Sequence, residues 1–431
     1  MTIGTLGSRF RRAFPAMYHR NFRLFWCGQC ISLVGTWMQN IGQSWLVLEL
    51  TGSPLKLGIV GAMQWLPVMV FSFAAGPLVD RYAKRKILLI TQTVLMMLAL
   101  ILAVLVWSGW VRYWHVLALA FLLGCVNTID NPTRQAFIIE LVGRDHLMNA
   151  ISLNSTVFNL ARILGPAVAG LLIGFLGIAP CFFINGFSYL AVLWALAILR
   201  VSNVAKDVAP LRLRAYLGNM AEGIRYLGAK PTILWPIVLV GLLSMFVMNY
   251  SVVIPIFAKS NLGGDAREFG FLMTSLGIGS TLGALTLAAK SREGPKLRQL
   301  FAGAFGMSIF SLLVGVQHWF FLSCVLLALT GFFQITCTAQ INATIQIDSD
   351  DSMRGRVMSI YNLSFGGVTP IGSLYAGSLV SAAGASANFV VSGVLGALST
   401  VGCAWALRRS RRAQKGMTSG SSAGEGADRL P

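Results

Sequence analysis

Residues 84–107 read Lys84-Arg85-Lys86 and then ILLITQTVLMMLALILAVLVW, three bases followed by 21 residues without a charge. At about 1.5 Å per residue the uncharged run is a helix of roughly 30 Å, the thickness of a bilayer's hydrocarbon core. The bases at its head mark an end that stays in water. Working outward from this stretch, comparable runs recur at 23–48, 55–79, 113–137, 148–176 and 179–199, and again at 233–257, 269–289, 299–317, 319–343, 356–381 and 386–407. With 87–107 they make twelve predicted spans. Across all 431 residues, 55% are hydrophobic and 11% are charged. A soluble domain carries about a quarter charged residues, so lipid has to cover much of this surface.

The net charge of +19 raises the question of nucleic acid. Its distribution answers it. With the N-terminus in the cytoplasm, 29 of the 34 Lys and Arg fall on inward-facing segments, Arg134 counted with them at the inner end of its span, 4 fall on outward-facing ones, and Arg162 lies deep within a span. That is the positive-inside pattern of membrane orientation, and no nucleic-acid partner is expected. The bilayer itself is the expected partner, the location a bacterial inner membrane, and both termini cytoplasmic. The seven Cys lie in or at the edges of apolar runs, as small buried hydrophobes do. Cys27 and Cys30 have the CxxC spacing but no second ligand pair, so no metal site is expected. Neither a phosphate-binding loop nor a nucleophile–base motif occurs, so no cofactor is expected and the chain does not read as an enzyme.

The spans organise the chain into a basic tail (1–20), a six-helix bundle (21–200), a linker (201–232), a second six-helix bundle (233–407) and a tail (408–431) expected to be disordered from its Gly/Ser/Ala content. In the linker, Leu213, Leu217, Met220, Ile224 and Leu227 share one helix face, which predicts an amphipathic helix on the membrane surface. A shift of 207 residues places Ser152 on Ser359, Gly165 on Gly372, Ala169 on Ala376 and Gly170 on Gly377, the trace of an internal duplication.

Polar residues inside spans are costly and usually face a cavity or the bundle interior. They are concentrated here in stripes at helical spacing. Span one has Ser32, Thr36, Gln39 and Gln43 with Asn40 beside them, span four Asn127, Asp130 and Arg134, span five Ser152, Ser155, Asn159 and Arg162, and span ten Thr330, Gln334, Thr338 and Asn342. Asn249 and Tyr250 add to them from span seven. A polar path lined by Thr36, Gln39, Asn40, Gln43, Asn127, Asn159, Asn249, Tyr250, Gln334, Thr338 and Asn342 is expected, with Trp37, Trp45 and Trp65 suiting an amphipathic solute. Interhelical hydrogen bonding without a cavity explains single residues of this kind well and four stripes on selected helices less well. Asp130 is the one acid deep in a span. A carboxyl there suits proton coupling with Arg162, and equally a structural pairing with Arg134.

The loop after span two, Gly76-Pro77-Leu78-Val79-Asp80-Arg81-Tyr82-Ala83-Lys84-Arg85-Lys86, resembles the signature of the major facilitator superfamily, with Ala83 where that family usually has glycine. Arg162-Ile-Leu-Gly165-Pro166-Ala-Val-Ala169-Gly170 resembles its antiporter signature, with Ala161 and Ala169 in place of glycines. Ile31 to Gln39, Leu48 to Ser53, Asn131 to Ala136 and Arg354-Gly-Arg356 are similar to the branch containing enterobactin exporters and macrolide-efflux proteins. The resemblance implies an all-α fold of two six-helix bundles related by a pseudo-two-fold axis. It also implies export of a drug-like or siderophore-like solute by proton antiport with alternating access, by a monomer. Lipid or lysophospholipid flipping without protons is the alternative. It further implies gating by Gly76, Asp80, Arg81, Arg85 and Glu140, by Gly165, Pro166 and Gly170, and by Arg354 and Arg356, with Asp80 latching onto the start of span eleven.

Overall fold

Lipid offers the backbone no hydrogen-bond partners, so each crossing has to satisfy its own amides, as a helix does. The computed structural model describes residues 14–199, 213–289 and 294–424, and every element in them is helical. The first half holds α1 (Arg20–Thr51), α2 (Pro54–Arg81), α3 (Lys84–Trp107), α4 (Tyr113–Val142), α5 (Leu147–Leu176) and α6 (Ala179–Ile198). The shorter α7 (Leu213–Ala229) leads to α8 (Pro231–Phe246), α9 (Tyr250–Ser260), α10 (Ala266–Ala289), α11 (Leu297–Val316), α12 (Phe320–Asp348), α13 (Arg354–Asn362) and α14 (Thr369–Gly424).

Ten stretches of the described residues are long and apolar enough to cross a membrane. α1 is a further crossing of 32 residues, less apolar because of its amide and hydroxyl stripe. The stretch 354–413 holds two crossings divided at Gly384, whose φ of 85° only glycine adopts without strain. Among the described residues the total is twelve, the number predicted.

Three details depart from the predicted spans. Span seven is broken: α8 ends at Phe246 and α9 starts at Tyr250. Asn249 compensates, its Nδ2 donating to the Met245 carbonyl at 2.8 Å. Span eleven is interrupted by a π turn, Leu363–Gly367, between α13 and α14. Ser244 of α8 donates to the Phe365 carbonyl of that turn at 2.5 Å. Periodicity cannot register such breaks, because the freed backbone groups are satisfied by side chains distant in sequence or outside the repeat. Third, helix continues to Gly424, where loss of regular structure was expected from 408. The Arg, Ala, Gln and Lys of residues 408–415 are good helix formers and extend a helix already nucleated in the span.

The halves repeat each other's packing, α2 lying on α4 as α10 lies on α12. Between the halves, α5 meets α10 and α2 meets the first part of α14. Both seams are built on glycine. A Cβ on Gly170 would come within 3.0 Å of the Gly270 Cα, and one on Gly58 within 3.0 Å of the Gly377 Cα. One large buried cluster is drawn from both halves, Trp45, Leu46 and Leu57 joining Phe257, Phe269 and Val380, with the Trp45 and Phe269 rings stacked at 6.0 Å. Two other clusters each belong to one half, the first around Phe22, Leu88 and Phe137, the second around Ile237, Leu300 and Ile341. The halves therefore share a core toward the end opposite the basic loops and keep separate cores toward the basic end.

α7 joins the second half rather than standing apart. Leu227 is buried in that half's cluster, whereas Ile224 is exposed. Glu222 pairs with Arg356 at 2.6 Å, and Lys230, just past α7, pairs with Asp350 at 2.7 Å. The second pair lies in water and holds the Asp350 carboxyl below its ordinary value and the Lys230 ammonium above its own. The Leu213 and Leu217 side chains of the predicted apolar face lie outside those described.

Candidate functional site

Where the shared core stops, a cavity of about 460 Å³ opens between the halves. The first half lines it with Asn40 and Gln43 from α1, Gln64 and Trp65 from α2, and Phe158 and Arg162 from α5. The second half contributes Ser244 and Met248, Tyr250 and Ser251, Gln334 and Thr338, and at the broken span eleven Phe365 and Thr369. Both interrupted helices thus abut the cavity, the setting in which irregular backbone at membrane depth is tolerated.

Of the residues expected to line a polar path, Asn40, Gln43, Tyr250, Gln334 and Thr338 do so, and Arg162 joins them. Thr36, Gln39, Asn127, Asn159, Asn249 and Asn342 do not. Thr36 Oγ1 donates to the Ser32 carbonyl at 2.9 Å. Gln39 is buried inside the first half, where its Oε1 accepts from Asn185 at 2.5 Å. Asn159 bonds back to the Ser155 carbonyl, Asn249 repairs the break in span seven, and Asn342 accepts from Gln346. Asn127 lies half-buried on α4 away from the lining. A 3.6-residue period selects a face of a helix but not what that face meets.

Gln64, Ser244, Ser251 and Thr369 were not singled out in the sequence. Gln64 had a signal, a lone amide in an apolar span; it accepts from Gln43 Nε2 at 3.2 Å across the α1–α2 seam. The others sit in the broken spans, and periodicity gave no sign of them.

Asp130 and Arg162, paired in expectation as a coupling unit, occupy different places. The Asp130 side chain has no solvent exposure. It accepts from Thr91 Oγ1 at 2.6 Å, from Gln92 Nε2 at 2.8 Å, and from the Arg134 guanidinium. Arg134 also donates to Gln29, so the network ties α1, α3 and α4 within the first half. Arg162 faces the cavity instead, its Nη2 3.4 Å from Gln334 Oε1 across the seam. No hydrogen bond or ion pair joins Asp130 to Arg162 among the described residues.

The expected gating residues divide by half. Lys84 pairs with Glu140 at 2.6 Å, binding the start of α3 to the end of α4. Arg85 donates to the Leu196 and Ala197 carbonyls at 2.7 and 2.9 Å, a cation on the negative end of α6. Arg81 lies over the Tyr82 ring. Arg354 pairs with Asp351 at 2.7 Å and Arg356 with Glu222, both inside the second half and its linker. Gly76 sits on α2 with open space around it. Asp80 is the penultimate residue of α2, and its side chain lies outside those described. Gly165 packs against Trp37 and Val34 of α1, while the Pro166 carbonyl and Gly170 face Gly270 of α10.

A family model described as transmembrane secretion effector matches residues 12–419 of the chain. The staphyloferrin A transporter of Staphylococcus aureus is 26% identical over 86% of this chain and 92% of its own length. The multidrug efflux pump Tap of Mycolicibacterium fortuitum is 27% identical over 80% and 86%. Macrolide efflux protein A of Streptococcus pyogenes is 24% identical over 87% and 93%. Among solved structures, a POT family transporter superposes with a TM-score of 0.72 at 10% identity, covering 89% of this chain and 95% of that one. A bacterial homologue of the human lysosomal transporter Spinster, described as inward-facing and unoccupied, superposes at 0.69 with 12% identity over 90% and 96%.

Proposed function

The chain belongs to the transmembrane secretion effector family of the major facilitator superfamily, multi-pass bacterial membrane transporters, and from that premise we propose that it exports a small amphipathic solute from the cytoplasm by proton antiport. The observation that carries the reading is the cavity between the halves. It is of drug size, walled by amides, hydroxyls and aromatic rings, and lies where the two halves part. The separation of cores at the basic end supports alternating access. With the basic loops and both termini in the cytoplasm, as the charge pattern favours, the cavity belongs to a state loading from inside. Swinging the halves about the glycine seams would present it to the other side.

Asp80 is the latch of the opposite state in this reading: when the basic ends close, its carboxylate meets the start of α13, where Arg354 and Arg356 stand. In the state described here those arginines are held by Asp351 and Glu222. The substitution Asp80→Asn removes the latch's charge, so it would weaken the inside-closed state and slow transport.

Everted membrane vesicles test the function. An acid lumen should drive uptake of members of a panel of fluorescent amphiphiles of positive, neutral and negative charge. Uptake should collapse with a protonophore, and at equal expression Asp80→Asn should slow it several-fold. Uptake indifferent to the proton gradient removes antiport. Movement confined to labelled lysophospholipid moves the protein to lipid flipping.

A further inference from the structure

Two arginines within the spans, Arg134 toward an inner end and Arg162 at depth, are treated oppositely by the molecule. Arg134 is neutralised by Asp130 and also held by Gln29. Arg162, 15 residues into α5 and so about 22 Å from its start, faces the cavity with only an amide oxygen at 3.4 Å, the long limit of a hydrogen bond. No Asp or Glu lines the cavity, and no ion pair engages Arg162 among the described residues. A second group lining the cavity, from the other half, has a donor without an acceptor. Tyr250 is 5% exposed, lines the cavity, and its hydroxyl has no hydrogen-bond partner. A guanidinium at membrane depth without a counter-charge and a buried phenol without an acceptor are two donors lacking the same thing, an oxyanion.

The rest of the wall describes the remainder of the ligand. Trp37, Trp65, Phe158 and Phe365 line the cavity with aromatic rings. The neighbouring amides Gln43 and Gln64 already bond each other and leave limited capacity for a highly polar cargo. We propose that the cavity selects a soluble amphipathic carboxylate. Its carboxylate is held by the Arg162 fork and the Tyr250 hydroxyl, and its apolar body lies against the rings. Guanidinium and carboxylate match in a planar two-point contact that an ammonium or a point charge does not reproduce. A cationic amphiphile would place like charge beside Arg162 and find no acid. A neutral one would leave Arg162 uncompensated. The inference rests on the export reading and adds to it the charge and chemical class of the cargo.

The test uses the purified full chain in nanodiscs with two probes that differ in one group, N-dansylglycine and its amide. The acid should bind about tenfold or more tightly than the amide, the scale of a charge-assisted contact. Arg162→Gln should bring the two affinities together. Arg162→Lys should keep part of the preference, retaining the charge and losing the fork. Tyr250→Phe should weaken the acid several-fold and leave the amide unchanged, and it carries the test if Arg162→Gln fails to fold. Hippurate should displace the acid. Equal affinity for acid and amide in the unaltered chain, binding of neither, a preference that survives Arg162→Gln, or displacement by lysophosphatidylglycerol but not by hippurate overturns the assignment. The export reading fails separately, when no amphiphile of any charge moves in everted vesicles.

Discussion

Asp130 sits in the membrane-spanning part of the first half with three donors on its carboxylate, one of them the Arg134 guanidinium. A proton arriving there has to displace Arg134, so coupling through Asp130 requires that contact to open during the cycle. Two roles then overlap in one residue, and variants separate them. Removing one member of a buried pair costs on the order of 3–5 kcal/mol, because the other charge is stranded. Asp130→Asn should therefore lower the thermal midpoint, and Asp130→Asn with Arg134→Gln should recover most of the loss, a non-additivity read by a double-mutant cycle. If Asp130 also carries the coupling proton, neither variant should export against a gradient, while both should keep downhill exchange of solute. Wild-type active export by the double variant would leave the pair a structural one.

At the scale of elements, the seams between halves are lines of small residues on α5 with α10 and on α2 with α14. Backbone lies opposite each of these glycines, so a side chain there cannot be accommodated by a rotamer change. An added Cβ on Gly170 would also meet the Ala266 carbonyl at 2.9 Å. Overpacking of this kind costs about 1–3 kcal/mol where the structure cannot yield. These helices belong to different halves and can yield by parting. In the proposed orientation, Gly170→Leu should thus wedge the seam at the end opposite the basic loops and shift the population toward a state open to the outside. In a cysteine-free background, Thr338→Cys in the cavity should become reactive to an impermeant maleimide added outside when Gly170→Leu is present. Unchanged labelling would show that this seam does not hold the outer end closed. The broken helices belong to the same scale. Span seven and span eleven give up regular backbone beside the cavity and recover the lost hydrogen bonds through Asn249 and Ser244.

At the scale of the molecule, the basic loops, the linker helix and the helix running on to Gly424 all lie at one end, and the joint core lies toward the other. In the proposed orientation the basic end faces the cytoplasm. Impermeant thiol reagent applied to intact cells should leave Thr5→Cys and Gly420→Cys unlabelled and should label Ser108→Cys in the turn between α3 and α4. Labelling of either terminus from outside would invert the topology and with it the direction of loading. The Lys230–Asp350 pair that ties the linker down is exposed and screened, so it orients α7 rather than stabilising the fold.

The twelve crossings and the all-α fold were legible in the sequence, because lipid makes demands that a linear pattern can record. Each crossing needs about 20 apolar residues and has to bond its own backbone, whatever the neighbouring helices do. The two special groups, Asp130 and Arg162, were legible for the same reason, as charges where charge is expensive. Their surroundings were not. Arg134, one helical turn from Asp130, was within reach of the sequence, but that Thr91 and Gln92 close Asp130 in while Arg162 faces the cavity beside Gln334 depends on which helix faces meet, and these contacts cross 38 to 172 positions of sequence. The same holds for Gln39 and Gln43, one helical turn apart on α1. Gln39 is spent on Asn185 inside the first half and Gln43 reaches the cavity. Hydrophobicity is a property of a residue and survives in a list of residues. Whether a polar group finds a partner depends on two surfaces meeting, which tertiary structure alone decided.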